Sequence, residues 1–309
     1  MSIETLPIQH NTDAYLEPFF TDIKKIWYEN NGGPGIEEIL LKKTKDLKDG
    51  TQAGVFLIDN KVPKGMAWME PTGEHYGSML LHVLDKKYEH ALAKAYLTSG
   101  ASNGRLLELI TFYKDHQYSD YLLQEGLHTL PRKRLALYLD QWESKNLSDN
   151  AITITRLTKE DAATTSKLSN KAHAISGDQV LSLDMTVFEH RFKLETALYE
   201  GTHGHLIEPA TLQLSINNQM IGICSAVEVN CWGFEKAAWI FDMCIHPDFH
   251  GRGLGKSLFY KTLDALKDMQ YPIVGLAVTE GNTYAEHLYE TCGFFWVENF
   301  SEFGYPIQP

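Results

Sequence analysis

Cysteine is scarce in this chain of 309 residues: Cys224, Cys231, Cys244 and Cys292 are the only four, with no C-x-x-C pair and no histidine at a ligand-like spacing. The pattern argues against a disulfide framework or a structural zinc site, and reduced, mostly buried thiols with no bound metal are expected. Long apolar runs are missing too, since nothing approaches the roughly 18 apolar residues of a membrane helix, and no membrane partner is expected. The opening MSIETLPIQHNTDAYLEPFF has no basic segment leading into an apolar one, so no secretory signal is expected and the cytoplasm is the default location. Positive charge is also short, with 28 Lys and Arg against 40 Asp and Glu and a net charge of −12. Up to Asn150 the count is 17 basic against 21 acidic residues, and beyond it 11 against 19. A surface of that sign repels nucleic acid and suits a cationic partner such as a small amine.

At 43% hydrophobic and 22% charged residues, the composition is that of a globular protein, and the length suits two domains that each bury a core. The most informative stretch is Trp239 to Ser257, WIFDMCIHPDFHGRGLGKS. An apolar strand passes through Pro247 into a loop with Gly251, Gly253 and Gly255, then directly into the helical pattern SLFYKTLDALKDM. A glycine loop feeding a helix N-terminus gathers unpaired N–H groups and the positive end of a helix dipole, which suits a phosphate. A dinucleotide fingerprint needs G-x-G-x-x-G, but these glycines give G-x-G-x-G. Gly255, Lys256 and Ser257 end like a nucleotide P-loop, but its first glycine would have to replace His250. The remaining pattern is [Q/R]-x-x-G-x-G over His250, Gly251, Arg252, Gly253, Leu254 and Gly255. Taken alone, it is equally a glycine-rich turn that binds nothing.

A second motif follows at a fixed distance. After the strand-like IVGLAV from Ile273, residues Asn282, Ala285, Leu288, Tyr289, Gly293 and Phe294 spell N-x-x-A-x-x-[LY]-Y-x-x-x-G-F. Together the two motifs resemble the GNAT superfamily of acyl-CoA-dependent N-acyltransferases, with His250 standing where Gln or Arg is usual. The resemblance implies a mixed-sheet α/β (α+β) fold and acetyl-CoA as co-substrate, bound where the central strand and the Ile273–Val278 strand part. Backbone groups of Met243 and Ile245 would pair with the pantetheine amides. N–H groups from Gly251 through Lys256 would hold the pyrophosphate, with Arg252 and Lys256 adding charge and Ser257 either a hydroxyl or a cap. Asn282 would hold the cofactor arm or cap its helix. Tyr289 would protonate the departing thiolate, or simply pack its ring. The function implied is acetyl transfer to a small amine by direct attack in a ternary complex; a sensor that binds acyl-CoA without turnover is the alternative.

Such chemistry needs a base, because an aliphatic ammonium with a pKa of about 10 is mostly protonated at neutral pH. Asp242 is the leading candidate, with Glu228, Glu235 and His246 behind it. Some members of the family place a glutamate where Ala277 or Trp239 stands here, and neither can serve.

The order of elements in the first half repeats that of the second. Shifting by 162 residues sets Val83 on Ile245, Glu89 on Gly251, Ala91 on Gly253, Ala93 on Gly255 and Lys94 on Lys256. Shifting by 167 sets Asp115 on Asn282, Leu122 on Tyr289 and Gly126 on Gly293. Every loop glycine is gone, Glu89 would bring a carboxylate to a phosphate position, and Leu122 has no proton to give. Two tandem GNAT-type domains are therefore expected: a degenerate one over 1–143, a polar linker over 144–151, and a working one over 152–309.

Overall fold

The computed structural model describes residues 3–8, 13–30, 35–49, 53–71, 76–100, 105–145, 152–181, 185 and 187–306. The chain forms two compact units, Met1–Thr129 with Ser301–Gln308, and Leu130–Phe300 with Pro309.

In the first unit, strand β1 (Ile3–Pro7) leads to helices α1 (Asp13–Glu29) and α2 (Ile36–Lys48), then strands β2 (Ala53–Asp59), β3 (Val62–Pro71) and β4 (Tyr76–Val83). Helix α3 (Glu89–Thr98), strand β5 (Leu106–Ile110) and helix α4 (Tyr118–Gln124) follow. The β1 to β4 ladder is antiparallel, while β4 and β5 run parallel from Tyr76/Leu106 to Leu80/Ile110. Phe19, Ile23, Leu40, Phe56 and Trp68 fill the core under α1 and α2, and Leu81, Leu92, Tyr96 and Leu107 fill the one under α3.

The second unit is entered within β6 (His128–Tyr138). Strand β7 (Thr153–Arg156), helices α5 (Ala162–His173) and α6 (Phe188–Tyr199), and strands β8 (His205–Leu206), β9 (Leu212–Ile216), β10 (Gln219–Cys231) and β11 (Phe234–Ile245) follow. Helix α7 (Leu254–Asp268), strand β12 (Ile273–Thr279) and helix α8 (Thr283–Thr291) follow, and the chain leaves this unit within strand β13 (Phe295–Gly304). Here β11 and β12 are the parallel pair, and β10 lies between β9 and β11 in an antiparallel ladder. Its hairpin with β9 turns at Asn217 and Asn218 with φ of 50° and 63°, the left-handed pair that asparagine tolerates best among non-glycine residues. Leu258, Phe259, Leu263 and Leu266 of α7 pack with Ile240, Val274 and Leu276 in the main core. No described helix is long and apolar enough to cross a membrane.

The two units share one hydrogen-bond pattern. After α4, Leu127 N–H reaches Leu122 O at 3.1 Å around Gly126 (φ 94°); after α8, Phe294 N–H reaches Tyr289 O at 3.0 Å around Gly293 (φ 91°). Both are the glycine-terminated helix end in which the residue after the glycine closes back across the last turn.

The compact units divide the chain differently from the expected ranges 1–143 and 152–309. The reason is strand pairing: β6 runs antiparallel to β12 over seven residue pairs, Ile273/Tyr138 to Thr279/Arg132, while Glu302 and Phe303 of β13 pair with Glu108 and Leu107 of β5. Most of the expected linker, residues 146–151, lies outside the described residues.

Candidate active site

Strand β11 carries the chain into the glycine loop, and a bulge decides which side chains face which helices. Its pairing with β10 runs from Gly222/Ile245 to Ser225/Asp242, passes over Phe241, and resumes at Ala226/Ile240. One extra residue breaks the two-residue alternation of side chains. Ala238 and Ile240 before the bulge, and Met243 and Ile245 after it, belong to the core beneath α7. Trp239 and Phe241 pack with Leu198 of α6, Cys244 packs with Leu168 of α5, and Asp242 bonds to residues of both helices.

On its other edge β11 pairs with β12 only at Ala238/Val274 and Trp239/Gly275. Beyond that point the two strands share no ladder, so the main chain from Ile240 to Ile245 has one edge open.

The loop begins with a short 3₁₀ turn, Pro247–Phe249, capped by His246 Nδ1, which accepts from Asp248 N–H at 3.2 Å. His250 donates from Nε2 to Ile245 O at 2.8 Å, tying the loop back to the strand end. Gly251 and Gly253 have φ of 75° and 74°, in the left-handed region where a side chain is strained, and Gly253 is the N-cap of α7. Among the described residues no main-chain acceptor takes the N–H groups of Gly251 through Lys256; the first bond of the helix is Ser257 N–H to Gly253 O at 3.1 Å. These donors stand at the positive end of a fifteen-residue helix. Arg252 lies 5.0 Å over the Phe249 ring and donates to Asp248 O at 3.2 Å, and Lys256 Nζ sits 5.8 Å over the Tyr260 ring. Ser257 is not the cap of α7; its hydroxyl donates to Gly253 O at 3.4 Å.

On α8, Asn282 caps the helix by accepting Ala285 N–H at 3.3 Å. Tyr289 is buried between the rings of Phe259 and Phe294, at centroid distances of 5.3 and 5.7 Å. Its hydroxyl has no hydrogen-bond partner among the described residues. Burial, then the neighbouring Cys224 and Asp242, pushes the phenol well above its ordinary pKa, so it keeps its proton at neutral pH.

Asp242 sits in a buried cluster. Its Oδ2 accepts from Arg191 Nη2 and from Ser169 Oγ at 3.0 Å, and its Oδ1 accepts from His173 Nε2 at 3.0 Å. Arg191 also donates from Nε to Glu195 Oε1 at 2.9 Å. Desolvation raises the Asp242 pKa, but Arg191 and His173, with the bonds from His173 and Ser169, outweigh it and hold the carboxyl well below the usual range. Glu195 has burial and the Asp242 charge against it and Arg191 and His173 in its favour, and its pKa is raised. A carboxylate held as Asp242 is makes a poor proton acceptor, which argues against the direct-base role expected from sequence. Cys244 Sγ also approaches this group, with ligand-type atoms of His173, Asp242 and Cys244 within 4.8 Å of one another. Arg191 already fills the cationic role there, and burial keeps the Cys244 thiol protonated.

Sequence reading missed Ser169, His173, Arg191 and Glu195. Each helix carried a signal, since 169/173 and 191/195 are four apart and share a helix face. Nothing local ties those faces to Asp242. Arg191→Ala strands Asp242 and Glu195 without their cation, and a cost of about 3–5 kcal/mol in urea unfolding is expected. A cost below about 1 kcal/mol would mean that water already solvates the pair.

Residues 178–294 match the model of the acetyltransferase (GNAT) family. The fold resembles that of a GCN5-related N-acetyltransferase from Sphaerobacter thermophilus, with a TM-score of 0.59 and 15% identity over 99% of this chain and 96% of that one. It also resembles a tandem GNAT protein from the clavulanic acid biosynthesis pathway, with a TM-score of 0.55 and 14% identity over 100% of this chain and 99% of that one. No curated protein matches the chain. The chain thus has a mixed-sheet fold of the GNAT type, similar along its whole length to that of a tandem GNAT protein, and its residues 178–294 match the acetyltransferase (GNAT) family model.

Proposed function

We propose that the second unit transfers an acetyl group from acetyl-CoA to a small amine, with both substrates held together and the amine attacking directly. The observation that carries this reading is the row of unpaired N–H groups from Gly251 to Lys256, set between left-handed glycines at the start of α7 and next to the open edge of β11. Those donors suit a diphosphate, and Arg252 and Lys256 add positive charge beside them. Met243 offers its main-chain groups along the open edge for the amides of the pantetheine arm, and Ile245 its N–H, since His250 holds the Ile245 carbonyl oxygen. Asn282 caps α8 with its carbonyl oxygen, and the NH₂ end of the same side chain is the part available to a ligand.

Acetyl-CoA supplies a thioester, whose sulfur leaves more readily if protonated. Tyr289, buried, protonated and free of hydrogen-bond partners among the described residues, is the donor on this reading. The net negative surface favours a cationic acceptor.

In the first unit β4 ends at Val83, and α3 begins only six positions later at Glu89, whereas Ile245 and Leu254 are nine apart. No glycine loop intervenes. Glu89 is buried, and its Oε2 accepts the N–H of Gln117, the N-cap of α4, at 2.9 Å. On this reading the chain's own carboxylate takes the place of a phosphate there. Titration calorimetry with CoA is expected to give one site per chain; two equivalent sites would overturn the reading of the first unit as silent. Free-thiol release from acetyl-CoA with a panel of small amines tests the transfer itself, and binding without release under any amine would favour a sensor.

A further inference from the structure

If the second unit transfers an acetyl group to an amine, something must take the amine's proton, and the residues singled out from sequence for this are engaged elsewhere. Asp242 is bound by Arg191, Glu228 accepts from Tyr271 Oη at 2.6 Å, and His246 Nδ1 accepts from Asp248 N–H. Glu235 is exposed near the start of β11, ten residues from Ile245. We propose that His173 is the proton acceptor for the amine, with Asp242 holding its ring in place; this rests on the acetyl-transfer reading above.

His173 is the last residue of α5, and its Nε2 lies 3.0 Å from Asp242 Oδ1. A carboxylate only accepts, so the neutral ring carries its hydrogen on Nε2 and its lone pair on Nδ1. Among the described residues Nδ1 has no hydrogen-bond partner, and the side chain is 18% exposed while that of Asp242 is 6% exposed. The ring therefore has one nitrogen fixed by Asp242 and one without a partner among the described residues, on a side chain that is partly exposed. Asp242 is itself immobilised, since Ser169 and Arg191 take its other oxygen. Around His173 the charged or titratable groups are Asp242 and Cys244 on β11 and Arg191 and Glu195 on α6. Arg191 lies between the two carboxylates and bonds to both, which leaves Asp242 to orient the ring and not to take its proton.

The protons balance as follows. One proton of the ammonium passes to Nδ1 and on to water. The freed nitrogen pair forms the C–N bond, and the C–S bond breaks with its pair on sulfur. Sulfur takes the Tyr289 proton, and the second proton lost by nitrogen restores the phenol through solvent. One proton is released for each amide made. Asp242 is a positioning residue in this scheme and touches no substrate.

Three readouts decide the proposal. With benzylamine as the acceptor probe, His173→Gln should lower kcat for thiol release by roughly 100-fold, remove the acidic limb of the kcat/KM profile, and recover part of the rate with added imidazole. CoA affinity by calorimetry should stay within about twofold. Asp242→Asn should shift the limb without removing it. In ¹⁵N spectra of histidine-labelled protein, the resonance missing from His173→Gln should show the Nε2–H tautomer at pH 8, which needs no turnover to be read. An unchanged limb in His173→Gln, or an Nδ1–H tautomer, would overturn the assignment and leave acetyl transfer standing. Wild-type protein that binds no CoA would overturn both.

Discussion

Gly253→Glu is expected to weaken CoA binding by more than 100-fold, to the point where calorimetry detects no heat. Two effects combine. At φ 74° any side chain strains the backbone, by about 1–2 kcal/mol. The larger effect is charge: Gly253 is the N-cap of α7, and a carboxylate there competes with a diphosphate for the N–H groups from Gly251 to Lys256. The first unit makes a related substitution, with Glu89 buried at the start of α3. The control is Gly253→Ala, which keeps the strain without the charge and should cost no more than about tenfold. Space is no obstacle, since a Cβ at Gly253 would meet nothing within 4 Å. A Gly253→Glu protein that binds CoA within threefold of wild type would remove the loop from the binding site.

Tyr289→Phe is expected to lower turnover by roughly 10-fold to 1000-fold with little change in CoA affinity. The ring is held by Phe259 and Phe294 and survives the substitution, so packing is preserved. Only the hydroxyl is lost, and it makes no hydrogen bond among the described residues that would be left broken. The effect should be largest at high pH, where solvent is least able to protonate the departing thiolate of pKa about 8.5. A loss of stability equal to that of a core deletion, with kcat unchanged, would reduce Tyr289 to a packing residue.

What sequence made legible was local. The strand, glycine loop and helix from Trp239 onward lie where the pattern sets them, with β11 ending at Ile245 and α7 starting at Leu254. These depend on periodicity and on glycine, both of which act within a few residues. Strand partners do not: β6 falls within the range 1–143 expected for the first domain, yet its ladder is with β12, because a strand's apolar pattern does not say which neighbour it will meet. The site split the same way. The glycines and Tyr289 are visible as spaced motifs. The surroundings of Asp242 are not, since the bulge at Phe241 comes from the pairing with β10, and the partners of that carboxylate come from helices 51 and more residues away. Asp242 is a conspicuous acid in an apolar strand; only the fold shows that its charge is already taken.

The most direct measurement is a crystal structure with CoA bound. The diphosphate oxygens should accept from main-chain N–H groups between Gly251 and Lys256, with the pantetheine arm along the open edge of β11 and nothing bound at the start of α3. A diphosphate held elsewhere, or this loop empty at saturating CoA, would contradict it.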